Sequence, residues 1–470
     1  MKTDYHLAID IGASNGRHIL GWREDGIIHL SEVHRFPNGM VNRNGSLCWD
    51  TEALFSAIIT GMKKCAQIGK IPVSVGIDTW GVDFILIDAA GNLAAPTIGY
   101  RDCRTEGMFE ETFKYISEFE LYSRTGIQKQ LFNTIFQLMA IKTKTPEYFE
   151  NAAHLLFMPD YLHYRLSGVK KTEYTIASTS GLLNAGSKTW DEEVIAKCGF
   201  PRELFCEVVP AGTSLGKLSD EIKNEVGYDC EVIMPTSHDT ASAFLAVPTK
   251  SENAIYISSG TWSLMGVELA EPITSKEGRD ANLTNEGGYE YRYRYLKNIM
   301  GLWMIQSVHR EMGDGIDFGK LVELAKKSDY QGIVDVDDKR FFAPESMVET
   351  IRTVCREDGF SKPKTIGDLA SCIYRSLALS YAQTAKDLEK ITDKKYDSVN
   401  IIGGGSNNMF LNELTAVACG LPVYAGPSEG TALGNIVSQM INYGYFTGVD
   451  DARRAIRQSF DIVEINNNLV

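Results

Sequence analysis

Cysteine pairs of the Cys-x-x-Cys kind are missing: the nine cysteines of this 470-residue chain are scattered along it. That favours reduced thiols over a disulfide framework, and no His and Cys fall at metal-binding spacings either. No uninterrupted apolar stretch is long enough to span a bilayer. The start, Met1 to His6, runs straight into a strand and offers no apolar signal-peptide core. The expectation is a cytoplasmic protein without a membrane partner. Basic runs are also lacking, and a net charge of −14 counts against nucleic acid. Two common nucleotide signatures are absent, Gly-x-x-x-x-Gly-Lys-[Ser/Thr] and a strand followed by Gly-x-Gly-x-x-Gly. Their absence disfavours a P-loop ATPase and a dinucleotide oxidoreductase.

What is present begins with two look-alike turns about half a chain apart. The first runs from Leu7 through Asp10-Ile11-Gly12-Ala13-Ser14-Asn15-Gly16-Arg17 to Leu20, the second from Ala254 through Ser258-Ser259-Gly260-Thr261-Trp262-Ser263 to Met265. Each is an apolar strand, a tight turn rich in Gly and hydroxyls, then a second strand. Glycine lets backbone N–H groups approach phosphate oxygens, and hydroxyls add donors. Two such hairpins, each opening its own half, predict a duplicated α/β core gripping a polyphosphate. Apolar content of 44% and 23% charged residues is that of an ordinary globular chain, and the length predicts two domains.

Between the hairpins the pattern alternates. A helix is expected from about Thr51 to Gln67, then a strand Val73–Asp78 that pairs as a hairpin with Gly81–Asp88. Residues 105–166 read as mostly helical, and Val232–Pro235 as a short buried strand. The polar run Val247–Glu252 marks the hinge. Three blocks follow: 1–246, 247–450, and a terminal segment 451–470 packing back on the first domain. In the second half a strand Ser398–Ile402 ends in Gly403-Gly404-Gly405 ahead of a helix from about Met409 to Ala418.

Several residues carry chemistry. Asp10, at a strand end two residues before Gly12, can hold Mg²⁺ through water while the turn faces phosphates. Arg17 is equally a phosphate contact or an outward strand charge. Three bare glycines at 403–405 suit a flat adenine or a flexible connection. Asp239 in His238-Asp239-Thr240 stands between two readings. It is an N-cap, or a base that is ionised at neutral pH (ordinary value ~3.9) and takes a proton from an alcohol attacking phosphorus. Gly81 would let a sugar approach bare backbone, with Trp80 or Asp83 flanking it. The loop Tyr100-Arg101-Asp102-Cys103-Arg104 reads as a solvated ion-pair loop.

Together these segments resemble the FGGY carbohydrate kinases, which share the actin/Hsp70-type (ribonuclease H-like) ATPase fold of two domains with an interdomain cleft. Within that family the chain is most similar to the branch that phosphorylates L-rhamnulose. The likeness is carried by Asp10-Ile-Gly-Ala-Ser-Asn-Gly-Arg17, Gly76-Ile-Asp-Thr-Trp-Gly-Val-Asp83, Ser237-His-Asp-Thr240, Ser258-Ser-Gly-Thr-Trp-Ser263, Lys297-Asn-Ile-Met-Gly-Leu-Trp303 and Gly403-Gly-Gly-Ser-Asn-Asn408. The resemblance implies an ATP- and Mg²⁺-dependent kinase of a small ketose, L-rhamnulose first and L-fuculose or D-xylulose as alternatives, with an actin- or Hsp70-like ATPase switch as the reading from another class; a monomer or weak homo-oligomer is expected. It makes Asp239 the general base and puts Gly81, His238, Asp239, Thr240 and Asn298 on the sugar. Ala13, Ser14, Asn15, Gly16, Arg17, Thr261, Gln306 and Gly404 hold ATP, and Asp10 positions Mg²⁺. Where the family often has two adjacent hydroxyl residues in the first phosphate loop, this chain has Ser14 and Asn15.

Overall fold

Leu7, Ala8, Ile9 and Ile11 are all wholly buried in the strand Tyr5–Ile11. Such a continuous apolar run suits a strand covered on both faces. In the computed structural model, which describes residues 3–467, this strand is central to a six-stranded sheet. Edge to edge the order is Thr213–Lys217, Glu231–Met234, Pro72–Thr79, Tyr5–Ile11, Asn15–Glu24 and Ile27–Pro37. The three middle strands Glu231–Met234, Pro72–Thr79 and Tyr5–Ile11 are parallel; the other pairings are antiparallel. Helix Thr51–Gln67 starts where the Asp50 carboxylate accepts from Ala53 N at 3.0 Å, satisfying one orphan donor of the first turn. Its stripe of Leu54, Phe55, Ile58, Ile59, Met62 and Cys65 joins the core with Leu7, Ile9, Val75 and Ile77. Burying each large side chain contributes about 1.5–3 kcal/mol.

A second sheet repeats the plan. Ala254–Ser259 and Trp262–Leu269 form the hairpin, Ser398–Ile402 and Val423–Ala425 follow in parallel, and Val463–Ile465 pairs antiparallel at the end. The long helix Ile366–Thr392 opens on a capping box, with Thr365 and Asp368 each satisfying the other's backbone. No helix among the described residues is long and apolar enough to cross a membrane.

Compactness does not follow consecutive blocks of chain. One unit takes residues up to Ala246, Glu268–Tyr295 and Thr431–Ser459; the other takes Val247–Val267, Leu296–Gly430 and the residues from Phe460. Side chains explain why the late piece 431–459 belongs to the first unit. Gln439 Nε2 donates to Leu7 O at 3.0 Å, Asn435 Nδ2 to Gly76 O at 3.1 Å, and Arg453 Nη2 to Phe244 O at 2.9 Å. Of the terminal segment 451–470, residues to Ser459 thus group with the first unit, whereas Val463–Ile465 extends the second sheet.

The expected hairpin between 73–78 and 81–88 does not form. Phe84–Ile87 pairs instead with His154–Phe157 in a separate two-stranded sheet. The chain turns away at Val82, whose φ of 66° is left-handed, a conformation that a β-branched residue adopts only under constraint.

Candidate active site

Strand register places the first acids. Asp10 is paired with Arg17 across the hairpin and with Asp78 on the parallel neighbour. Arg17 Nη2 donates to Asp10 Oδ2 at 2.6 Å, so Arg17 is neither an outward charge nor detached from the acid it neutralises. Asp78 is fully buried; Asn435 Nδ2 donates to its Oδ2 at 2.6 Å, while Oδ1 has no hydrogen-bond partner. Burial, and next the charge of Asp10, push the Asp78 carboxyl well above the usual carboxylate range. The turn itself is braced: Gly12 N donates to Asn15 O at 2.9 Å, and Asn38 Nδ2 to Gly12 O at 2.8 Å. Ser14 and Asn15 are exposed at its tip, Ala13 and Arg17 half-buried, and Gly16 is buried against the Phe36 ring, where a Cβ would clash.

A second convergence lies after strand Glu231–Met234. Thr79 N donates to Ser237 O at 2.9 Å, which carries the loop along the neighbouring strand as far as His238. His238, rather than Asp239, occupies the N-cap position, and Asp239 is the first residue of helix Asp239–Leu245. The N-cap reading of Asp239 therefore falls away. Its Oδ1 accepts from Thr240 N at 2.6 Å and from Thr240 Oγ1 at 3.0 Å. The helix is held from its far end by Arg453, which is also ion-paired to Glu268 at 2.9 Å.

Electrostatics change the ionisation expected of Asp239. Burial first, then the Asp10 charge, push the Asp239 carboxyl up to about 7, against the Thr240 donors and Arg294, which pull it down. At neutral pH it is near half-ionised, not fully ionised as an ordinary aspartate would be. A pKa close to working pH is what general base catalysis favours.

Gly81 faces the same place. A Cβ there would come to 3.2 Å from Thr179 Cγ2 and 3.3 Å from His238 Nε2. The strained Val82 beside it is fixed by Thr179 Oγ1, which accepts from its N–H at 3.1 Å, and by Thr134 Oγ1, which donates to its carbonyl at 2.7 Å. Such strain costs about 1–3 kcal/mol and persists only where the surroundings enforce it. The residues expected to flank a sugar there are occupied otherwise. Asp83 is wholly buried and accepts from Trp49 Nε1 at 2.6 Å, Trp80 Nε1 at 2.9 Å and Tyr100 N at 3.2 Å. Trp80 is buried against Trp49, ring centroids 4.1 Å apart. The 100–104 segment is likewise no solvated ion-pair loop. It is anchored to the core through Tyr100 N and through Asp102, whose Oδ2 accepts from Leu47 N at 2.8 Å.

Three of the second unit's expected nucleotide residues also converge. Leu302 N and Trp303 N donate to Gly260 O and Thr261 O at 3.0 and 3.1 Å, tying the helix Trp303–Met312, with Gln306 on it, to the Thr261 turn. Gly403 and Gly405 press on Ser259: a Cβ on Gly403 would lie 3.0 Å from Ser259 O, and one on Gly405 would clash with Ser259 Oγ. Gly404 between them is exposed with nothing near its missing Cβ. Asn298 is half-buried on strand Tyr293–Met300, next to Lys297, which pairs with Asp337 at 2.8 Å.

Residue-by-residue reading of the sequence missed Asp78, Asn435, Glu286 and Arg294. Asp78 had a signal, since Val75-Gly76-Ile77-Asp78 ends an apolar strand on an acid as Ala8-Ile9-Asp10 does. The buried charges at 286 and 294 had none. Among the described residues no group of three or more His, Cys, Asp or Glu side chains is arranged to hold a metal ion directly.

Known proteins are similar to this chain along most of its length. The N-terminal domain model of the FGGY family of carbohydrate kinases matches residues 5–246, and the C-terminal domain model matches residues 255–443. A protein of Halalkalibacterium halodurans named rhamnulokinase is 47% identical over 98% of this chain and 98% of its own length. Rhamnulokinases of Oceanobacillus iheyensis (46% identical, 97% of each chain) and Bacillus subtilis (41%, over 97% of this chain and 94% of its own) are similar along nearly all of the sequence. Among solved structures, a ligand-bound xylulose kinase from Lactobacillus acidophilus superposes with a TM-score of 0.82 at 15% identity, covering 99% of this chain and 94% of its own. Plasmodium falciparum glycerol kinase with ADP gives 0.78 at 15%, covering 98% and 94%. At that identity the likeness speaks for the fold, the two-domain actin-like ATPase architecture that the family resemblance implied. With both family models matched in order along most of its length, the chain belongs to the FGGY family of carbohydrate kinases.

Proposed function

We infer that the protein transfers the γ-phosphoryl group of ATP to the 1-hydroxyl of L-rhamnulose, giving L-rhamnulose 1-phosphate and ADP in L-rhamnose breakdown. The observation that carries the reading is the near full-length similarity, 41–47% identical, to proteins named rhamnulokinase. Asp239 is the base. Its Oδ1 is taken by Thr240 N and Oγ1, so Oδ2 receives the hydroxyl proton as the sugar oxygen bonds to phosphorus and the bond to the β,γ-bridging oxygen breaks. Positioning and charge stabilisation do most of the work in such a transfer.

In the first unit Gly81, His238, Asp239 and Thr240 take the sugar, and Ala13, Ser14, Asn15, Gly16 and Arg17 take phosphate oxygens. In the second, Thr261, Gln306 and Gly404 take the nucleotide and Asn298 the sugar. Mg²⁺ fits beside Asp10, held through water, because the orphaned Asp78 Oδ1 adds a buried acceptor on the adjoining strand. When bound, the ion neutralises the phosphate charge that a chain of net charge −14 otherwise repels.

The test is ADP production with L-rhamnulose, L-fuculose, D-xylulose and glycerol, alongside Asp239→Asn. Fastest turnover on L-rhamnulose, lost in the variant, is expected. Preference for another ketose would overturn the substrate, and an active Asp239→Asn enzyme would overturn the base.

A further inference from the structure

The base has a buried support that its own sequence neighbourhood does not reveal. Arg294 is 0% exposed, an expensive place for a charge unless partners repay its lost hydration. Its Nε donates to Gly287 O at 2.8 Å, and Nη2 reaches His238 Nδ1 at 3.0 Å and Glu286 Oε2 at 3.1 Å. His238 Nε2 in turn lies 3.3 Å from Asp239 Oδ1. A guanidinium has five N–H donors and no acceptor. The hydrogen bond to Nδ1 therefore requires a lone pair there, and the single proton of the neutral ring must sit on Nε2. That is the nitrogen beside the base.

We propose that Arg294 is a positioning residue: by donating to His238 Nδ1 it fixes the Nε2–H tautomer of His238, so that the ring presents a proton, not a lone pair, to the Asp239 carboxylate. The inference rests on Asp239 being the base. Glu286 makes the role necessary. Its Oε2 is 3.4 Å from the same Nδ1 and, without Arg294, is the acceptor that would draw the ring proton to Nδ1. Nε2 would then turn a lone pair on Asp239 Oδ1 and disfavour the ionised base. Glu173 completes the setting, since its Oε2 accepts from Ser237 N at 3.1 Å and fixes the loop that carries His238.

The charged and titratable groups facing this pair are Asp10 with its partner Arg17, Asp78, Tyr100, Glu173, Glu286 and Arg294. Of these Arg294 is the cation with a hydrogen bond to the ring. Burial is the leading reason His238 stays neutral, so loss of Arg294 changes the tautomer before it charges the ring.

The experiment pairs ¹⁵N NMR of histidine-labelled enzyme with kinetics on L-rhamnulose and ATP. In the wild type His238 is expected as the Nε2–H form, unchanged from about pH 6 to about pH 8. In Arg294→Gln, whose amide oxygen can accept, Nδ1 gains the proton and the acid limb of kcat moves up by about one pH unit. That is about a tenfold loss near pH 6 that recovers as the pH is raised. KM for ATP is expected to stay within about twofold, because the change is confined to the base. Arg294→Lys, which keeps a cation without an acceptor, is expected to restore the tautomer and the limb, and Glu286→Gln to leave both in place. A protonated Nδ1 in the wild type overturns the proposal even if no Arg294 variant folds. So does an Arg294→Gln enzyme whose pH profile overlays the wild type or moves down. Failure of the substrate reading is separate: it would show as a wild type that does not turn over L-rhamnulose.

Discussion

Replacing Asp239 by Asn should inactivate the enzyme and, above neutral pH, make it more stable. Asn keeps an oxygen to accept from Thr240 N and Oγ1, now at 2.6 and 3.0 Å, so the substitution removes charge and little shape. Moving the carboxyl from 3.8 to about 7 corresponds to about 4 kcal/mol against the ionised form. The side chain retains 32% exposure, and solvent screening halves the figure to about 2 kcal/mol. The sign follows from proton binding. The folded protein holds this proton more tightly than the unfolded chain, so the stability it contributes is complete below 3.8 and is lost as the pH rises through about 7. Asn carries no such dependence. For a chain of 470 residues, unfolding entropy is of order 1 kcal/mol per degree, so the variant's Tm should exceed the wild type's by about 2 °C near pH 8.5 and converge with it near pH 4. Ligand-free thermal denaturation at several pH values measures this, read on the first transition if two are resolved. Turnover should fall by about 10²–10⁴ in the same variant. A Tm difference that is constant with pH, or a variant less stable at pH 8.5, would refute the electrostatic reasoning.

Other outcomes follow from close approaches. Gly81→Ala puts a methyl 3.2 Å from Thr179 Cγ2 and 3.3 Å from His238 Nε2, so KM for the sugar should rise about tenfold or more while KM for ATP holds; equal effects on both would argue against Gly81 as a sugar contact. Gly404→Ala meets no atom within 4 Å and should fold normally but raise KM for ATP, whereas Gly405→Ala drives a methyl into Ser259 and should cost about 1–3 kcal/mol of stability. Denaturation curves and ATP titrations of the two variants separate these effects, and the reverse order would sink the assignment.

The twin hairpins were legible because each is local: an apolar strand, a turn of small and hydroxyl residues, and a returning strand declare themselves within about twenty positions. The same holds for helix Thr51–Gln67, marked by Asp50 and an apolar stripe. The false hairpin at 73–88 shows the limit. Strand pattern says that Phe84–Ile87 needs a partner but not which one, and the choice of His154–Phe157 is made by tertiary packing. The site divides in the same way. His238-Asp239-Thr240 is contiguous and could be singled out, yet its pKa could not, because the Asp10 charge that helps raise it arrives through a different strand. Asp78 meets Asp10 only through parallel pairing across 68 residues of chain. Arg294 meets His238 across 56 residues, and a sequence carries no mark for a charge that is to be buried.

The late piece 431–459 sets an order on biosynthesis. Asp239 leaves the ribosome long before Arg453, whose guanidinium holds the carbonyl end of the helix that Asp239 begins. At roughly 5–20 residues per second, translation separates the two by about 10–40 s. Through that interval the first sheet lacks Asn435 and Gln439, and the Asp239 helix lacks its Arg453 tie. The nascent chain therefore carries the Asp239 helix without the late contacts that brace it, and those contacts are made only near the end of synthesis.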